Sequence, residues 1–175
     1  MTKSDLSLIA MVILNNDHRA YGKLVTKYQS EVRGLLIKLT NGDMVVADDL
    51  AQEVFIRAYK YLKSFRATAN FSTWLYRIAY NLFIDHCKSK KKTLSIDDCD
   101  INQEVHEDVS STIDLHNALK VLKPDEKVVV LMHYEKGFSH SEIARILRLP
   151  LGTVKTHILR AKEKLKKYYQ YEEHG

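Results

Sequence analysis

Apolar residues recur three and four positions apart along most of this 175-residue chain, which is the period of one face of an α-helix. Short breaks that contain Asn, Gly or Pro separate the periodic stretches. Strand-like alternation of apolar and polar residues does not stand out. The pattern therefore predicts an all-α protein with two small helical domains, an N-terminal four-helix bundle and a C-terminal helix-turn-helix, joined by an acidic flexible linker.

The first domain is predicted over residues 1–92, with helices at 4–15, 17–39, 44–64 and 71–89. Asp17 is a candidate N-cap of the second helix. Asn41 and Gly42 should end that helix, because Gly accepts the left-handed conformation of a helix stop. Apolar stripes should bury one side of the next two helices, with Leu50, Val54, Ala58, Tyr61 and Phe65 on the third, and Phe71, Leu75, Ile78 and Leu82 on the fourth.

A change of composition marks the linker, which is predicted over residues 93–113. From Thr93 to His116 the chain has seven Asp or Glu residues and no Lys or Arg. Such a segment has too little apolar surface to offset the entropy lost on ordering, so we expect it to be mobile. It is either a solvated tether or an acidic segment that competes with DNA for basic surfaces. The second domain is predicted over 114–175.

The C-terminal residues predict a helix-turn-helix. Ser139 and Glu142 have the spacing of a capping box, so a short helix should begin there. Its buried residues are Ile143 and Leu147, and the break at 149–152 precedes a second stripe, formed by Val154, Ile158, Ala161 and Leu165. The second helix then presents Lys155, Thr156 and Arg160 as base-reading candidates near its start. The alternative is a solvated basic helix on an ordinary bundle.

Charge strengthens the nucleic-acid hypothesis. The net charge is only +5, but residues 152–169 have six Lys or Arg against one Glu, and a second basic cluster covers 88–92. Two separate basic surfaces indicate two contacts with nucleic acid. One face of the fourth helix combines aromatic, polar and cationic residues and lies beside the loop 65–71: Trp74, Arg77, Tyr80, Asn81 and Lys88. Such a face suits unpaired bases, which stack on rings while cations contact the phosphates. For any single ring, a place in the hydrophobic core remains the simpler alternative.

The third helix predicts a protein interface. Asp49, Gln52, Glu53 and Lys60 form its polar side, and Ile56 lies among them. An apolar residue at the centre of a polar surface is typical of a docking helix, although single exposed apolar residues are also common.

Several other classes of site find no support in the sequence. Cys87 and Cys99 have neither metal-ligand nor disulfide spacing, so we expect reduced thiols, no metal and no cofactor. There is no Gly-rich phosphate-binding loop. The apolar run near the N-terminus is too short to span a bilayer, so we expect a packed first helix, no membrane insertion and a cytoplasmic protein.

These motifs resemble those of the extracytoplasmic-function (ECF) group of bacterial sigma factors, the promoter-recognition subunits of RNA polymerase. Residues 48–55, DDLAQEVF, look like the segment that binds the clamp helices of the largest polymerase subunit. Residues 71–79, FSTWLYRIA, look like the promoter-melting helix, and 152–155 with 160–162 match the recognition helix. The three motifs stand in the family's order, so the chain resembles the family over nearly its whole length.

The resemblance implies a non-enzymatic function in transcription initiation. The expected partners are the polymerase core, through its clamp helices and flap, promoter DNA in duplex and single-stranded form, and an anti-sigma factor. The implied site residues fall into three sets: Asp48, Asp49, Gln52, Glu53 and Ile56 for the polymerase; Phe65, Asn70, Trp74, Tyr76, Arg77, Asn81 and Lys88 for the minus-ten element; and Thr153, Lys155, Thr156, His157, Arg160 and Lys164 for the minus-thirty-five element. Within the second set, Phe65, Tyr76 and Asn81 would hold a flipped base.

Three residues depart from the family's pattern, and one of them, Ser72, replaces a frequent Arg and so removes a possible phosphate partner. His157 stands where the family usually has Arg, so the contact there should be weaker or sensitive to pH. Arg148 stands in the turn where Gly is common, and a left-handed conformation there would cost about 1 kcal/mol.

Two other functions remain as alternatives. Residues 153–157 also look like the recognition helix of LuxR-type response regulators, but the strands and acidic pocket of a receiver domain are missing from the sequence. A DNA recombinase would need a nucleophilic Ser or Tyr beside converging arginines, whereas residues 1–92 contain only scattered arginines.

Overall fold

The computed structural model describes residues 3–67, 70–94 and 110–172. In these ranges the chain is helical, and no strand occurs. A 3₁₀ turn at Leu62–Ser64 follows α3, and a π-helical turn at Leu131–Glu135 continues α6. The α-helices are α1 Lys3–Asn15, α2 His18–Leu39, α3 Met44–Lys60, α4 Phe71–Leu94, α5 Ser110–Lys120, α6 Pro124–Val130, α7 His140–Leu147 and α8 Leu151–Glu172. None of these helices combines the length and the apolar character that crossing a bilayer requires.

The helices divide into two compact units, residues 1–82 and 83–175, so the division falls inside α4. The predicted domain boundary at residue 92 stays a prediction. Both ends of the predicted linker 93–113 are helical, because α4 runs to Leu94 and α5 begins at Ser110. Residues 95–109, with Cys99 among them, lie outside the described residues, so the linker's mobility and its competition with DNA stay predictions.

The first unit is a bundle whose helices bury the predicted apolar stripes. Asp17 caps α2 through its carboxylate, which accepts hydrogen bonds from two backbone N–H groups of the first turn. Asn41 and Gly42 follow with positive φ angles of 59° and 90°, as the Asn-Gly pair predicts. A buried carboxylate joins α1 to α2, since Asp5 accepts hydrogen bonds from Lys27 and from the hydroxyl of Tyr28. The largest fully buried side chains of this unit are Phe71, Leu24, Leu36, Leu39, Leu62 and Leu75.

The third helix is shorter than predicted, and one residue of its stripe was wrongly placed. The α-helix ends at Lys60, and the backbone N–H of Tyr61 caps it by donating to Arg57. The 3₁₀ turn that follows has fewer residues per turn, so it shifts which residue faces inward. As a result Leu62 is buried, whereas Tyr61 is 51 % exposed.

The fourth helix buries a wider surface than one stripe. Phe71, Leu75 and Leu82 are buried as predicted, and Ile78 is half-buried. Tyr76 and Tyr80, which we expected on other sides of the helix, are also buried, at 4 % and 9 % exposure.

The second unit has its hydrophobic core between α6, α7 and α8. The two predicted stripes of the helix-turn-helix are confirmed: Ile143, Leu147, Val154, Ile158 and Ala161 are buried, and Leu165 is half-buried. Met132 and Leu119 complete this core from the π-helical turn and α5. Since α8 packs into this core through its apolar side, its opposite side is exposed.

Candidate nucleic-acid and protein interfaces

Local hydrogen bonds fix where α7 begins. The Ser139 hydroxyl accepts from the Glu142 N–H at 3.3 Å, and the Glu142 carboxylate accepts from the Ser139 N–H at 2.8 Å. The same interactions hold the pKa of the Glu142 carboxyl below its usual range, with the hydrogen bond from the Ser139 hydroxyl contributing most. The predicted capping box is therefore confirmed.

The turn of the helix-turn-helix depends on Arg148. This residue ends α7 in a left-handed conformation, with φ 55° and ψ 42°, as expected for a position where Gly is common. The Leu149 N–H then donates to the Ala144 carbonyl at 3.0 Å, which closes the turn. Helix α8 resumes at Leu151, earlier than the stripe alone indicated, with Pro150 just before it.

The exposed side of α8 carries the predicted base-reading residues. Lys155, Thr156 and Arg160 are all exposed, and the Thr156 hydroxyl donates to the Gly152 carbonyl at 2.9 Å. Leu159 lies among them and is 58 % exposed. We call these four residues the reading face. Sequence reasoning missed Leu159, although a leucine outside the apolar stripe was a signal that could have identified it. Thr153, also predicted to contact DNA, is half-buried.

Two other predicted DNA contacts are more enclosed. His157 is half-buried, and its Nδ1 atom is buried without a hydrogen-bond partner, the one such side-chain atom in the described ranges. Lys164 forms an ion pair with Glu126 on α6 at 2.7 Å. Its ammonium therefore already has an anionic partner within the protein, which weakens its case as a phosphate contact.

The Glu126–Lys164 pair also links α6 to α8. Glu126 is 2 % exposed, and its carboxylate accepts from the Lys123 N–H at 2.9 Å as well. Burial raises the pKa of this carboxyl, but the hydrogen bonds from Lys164 and Lys123 outweigh it and leave the pKa below its usual value. The pair therefore contributes stability above the ordinary carboxyl pKa and loses it as the pH falls through the folded-state pKa.

Lys164→Met should lower the free energy of unfolding at neutral pH by about 1–3 kcal/mol, because it leaves a buried carboxylate without its cation. Lys166→Met, at an exposed position of the same helix, should change it by less than about 0.5 kcal/mol. Denaturant unfolding followed by circular dichroism measures both. The difference between the variants should shrink in acid, where Glu126 is protonated. Equal effects of the two substitutions at neutral pH would contradict the role given to the pair.

Aromatic residues form a cluster at the beginning of α4, to which Phe65 contributes from the segment before the helix. The Phe65 ring centroid lies 5.4 Å from that of Trp74 and 5.5 Å from that of Phe71. Phe71 is fully buried, while Phe65 and Trp74 are half-buried. We call these three residues the aromatic cluster. Its two outer rings have accessible surface on which an unpaired base could stack.

The remaining minus-ten candidates are distributed unevenly. Asn70 and Asn81 are exposed, and Arg77 is half-buried. Lys88 is exposed on the same helix but falls in the second unit. Tyr76 is in the hydrophobic core, so this arrangement offers little of its ring to a base, and its role stays a prediction.

The exposed side of α3 presents an apolar and polar strip. Val45, Asp49, Gln52 and Ile56 are spaced four, three and four apart, so they lie along one face of the helix. All four are exposed, Val45 by 73 % and Ile56 by 62 %. We call them the docking face. Val45 was not among the predicted site residues; its spacing from Asp49 was the signal.

Two predicted polymerase-binding carboxylates have partners within the chain. Asp48 forms an ion pair with Arg33 on α2, and hydrogen bonding to that guanidinium lowers the pKa of the Asp48 carboxyl. Glu53 pairs with Arg57 one turn further along α3, at 2.7 Å. They flank the docking face rather than lie on it. Within the described residues there is no cluster of three or more His, Cys, Asp or Glu placed to hold a metal ion.

Comparisons with known families match two separate parts of the chain. Residues 24–93 match the model of Sigma-70 region 2, and residues 112–165 match that of Sigma-70, region 4. The chain is 36 % identical over 172 residues to the ECF RNA polymerase sigma factor SigW of Bacillus subtilis, covering 89 % of this chain and 91 % of that protein. It is 30 % identical to the RNA polymerase sigma-H factor of Pseudomonas aeruginosa, covering 90 % of each.

Solved structures agree on the fold. The sigma factor RpoE of Bartonella quintana, crystallised with the anti-sigma factor NepR, superposes with a TM-score of 0.74 at 22 % identity, covering 86 % of this chain and 96 % of that one. CnrH, solved with the cytosolic domain of CnrY, superposes with a TM-score of 0.68 at 22 % identity, covering 97 % and 99 %.

Proposed function

Because the chain belongs to the extracytoplasmic-function group of sigma-70 factors, we propose that it binds core RNA polymerase and directs initiation at promoters with a minus-thirty-five and a minus-ten element. Proteins of this group are transcription initiation factors and not enzymes. The match of residues 24–93 to region 2 leaves no support for the LuxR-type alternative.

The observation that carries the proposal furthest is the reading face of α8. An exposed helix side with Lys155, Thr156 and Arg160 near its start has the form that enters a major groove. Arg160 suits the two acceptors of guanine, and Leu159 suits the methyl group of thymine. Cations further along α8, such as Lys166 and Lys167, suit phosphates and add affinity without sequence information.

The first unit would act on one strand of the opened promoter. The outer rings of the aromatic cluster offer stacking surface, and Asn70, Arg77 and Asn81 supply hydrogen-bond donors and positive charge near the beginning of α4. Binding unpaired bases more tightly than paired ones would drive melting by population shift, without hydrolysis of a nucleotide.

The docking face would bind the clamp helices of the largest polymerase subunit. Val45 and Ile56 at its ends supply exposed apolar surface, and Asp49 and Gln52 between them supply polar groups, a combination found at protein interfaces. Because it would act on the polymerase, we expect the protein to lie in the cytoplasm. The sigma factor RpoE of Bartonella quintana was crystallised with the anti-sigma factor NepR, so we include an anti-sigma factor among the proposed partners.

A run-off transcription assay with purified core polymerase tests the proposal. Adding the protein should make initiation start at defined positions on templates selected from genomic DNA by the reconstituted holoenzyme. If transcripts form equally on every template with or without the protein, the proposal is wrong.

Ile56→Ala should weaken binding to core polymerase by about tenfold, since truncating an apolar side chain that an interface buries costs about 1–2 kcal/mol. Gln29→Ala, at an exposed position on α2, is the matched control and should leave the affinity within about twofold. Biolayer interferometry with immobilised core polymerase measures both. An unchanged affinity for the Ile56 variant would remove the docking face from the interface.

A further inference from the structure

Two histidines outside every proposed site lie together in the second unit. His133 is in the π-helical turn after α6, and His140 is the first residue of α7. Their ring centroids are 4.7 Å apart, and both residues are partly exposed. The ring of Tyr134, 57 % exposed, lies 4.7 Å from His133, and the ammonium of Lys162 lies 5.7 Å from the Tyr134 ring centroid. We call these four residues the histidine cluster.

The charges around this cluster favour an anion. The pKa of His140 is lowered by partial burial first, and then by the nearby His133, Lys155 and Lys162, all of them cationic when protonated. The carboxylates on the two elements that carry the histidines, the π-helical turn and α7, have other partners. Glu135 pairs with Lys136 at 3.1 Å, and Glu142 accepts hydrogen bonds from Ser139.

A backbone carbonyl fixes the protonation site of His133. Its Nδ1 lies 2.8 Å from the Phe138 carbonyl oxygen, which can only accept, so Nδ1 carries a proton and donates it. Nε2 is then the unprotonated nitrogen of the neutral ring.

The position of the cluster identifies the anion. Lys155 belongs to the reading face, and its charge also lowers the pKa of His140. Helix α8 therefore carries both the base-reading residues and one border of the histidine cluster. A duplex whose major groove receives α8 has its phosphates along the edges of that groove. We propose that His133, His140 and Lys162 form a binding site for a DNA backbone phosphate, and that its occupancy is coupled to proton uptake by His140. This inference rests on the proposed function.

The direction of the pH dependence follows from linkage. A phosphate placed against His140 favours the charged ring, so its pKa is higher in the complex than in the free protein. The contact therefore contributes affinity below the free pKa, and this contribution is lost as the pH rises through the bound pKa. If binding raises the pKa of the ring by about one, the affinity at low pH increases by up to about tenfold.

The test uses reconstituted holoenzyme and a duplex promoter at constant ionic strength, with dissociation constants measured between about pH 6 and pH 8. On acidification the affinity of the native protein for the duplex should rise by up to about tenfold, and the His133→Gln/His140→Gln variant should lack this increase. His18→Gln, on α2 in the other unit, should retain the native pH dependence.

Replacing single phosphates by uncharged methylphosphonates locates the contact. At one position the replacement should weaken the native protein at low pH more than it weakens the double variant, in which Lys162 alone remains at the site. If the double variant keeps the native pH dependence, or if no phosphate position couples to the histidines, the inference is wrong. Promoter-dependent transcription by the same preparations separates this outcome from failure of the proposed function.

Discussion

Phe71→Ala should lower the free energy of unfolding of the first unit by about 3–5 kcal/mol. Phe71 is completely buried, and its ring lies 5.5 Å from those of Tyr28 and Phe65 and 5.6 Å from that of Trp74. Removing it leaves a cavity and also removes the support on which the two outer rings of the aromatic cluster rest. We therefore expect loss of promoter opening together with loss of stability.

Urea unfolding followed by the fluorescence of Trp74, the chain's single tryptophan, measures this effect. Leu14→Ala is the control, because it truncates an apolar side chain that is 80 % exposed and should change the free energy of unfolding by less than about 0.5 kcal/mol. Similar losses in the two variants would show that Phe71 does not support the bundle as its burial indicates.

Arg160→Ala should cost about 1–3 kcal/mol of binding at one base pair of the minus-thirty-five element and relax the preference there. Arg160 is exposed on the reading face, one turn after Thr156, where a guanidinium can make two hydrogen bonds to guanine. Competition between promoter duplexes that differ at single positions, measured with holoenzyme, gives the loss for each base.

Lys166→Ala is the matched control for Arg160. It removes a cation from an exposed position further along α8, so it should weaken all sequences alike and reduce the salt dependence of binding by about one counterion. If Arg160→Ala also weakens every sequence equally, the arginine contacts a phosphate rather than a base.

The sequence predicted those features that depend on neighbouring residues. The capping box at Ser139 and the stop at Asn41 and Gly42 each follow from hydrogen bonds or steric limits within a few residues. The buried stripes of α7 and α8 follow from the helical period, because a helix with one apolar side removes that side from water by packing it against another element. The exposure of Ile56 followed from the same period on α3.

Other features depend on which helices meet, and the tertiary structure alone decided them. Tyr76 and Tyr80 are buried because more than one side of α4 packs in the hydrophobic core. The spacing of apolar residues along α4 does not by itself predict this. Lys164 is paired because folding brings Glu126, 38 residues earlier in the chain, to its ammonium. His133 and His140 likewise adjoin only because the chain turns between α6 and α7. Local sequence thus determined the helices, their ends and their apolar sides, while long-range packing determined which polar and aromatic groups remain available to a partner.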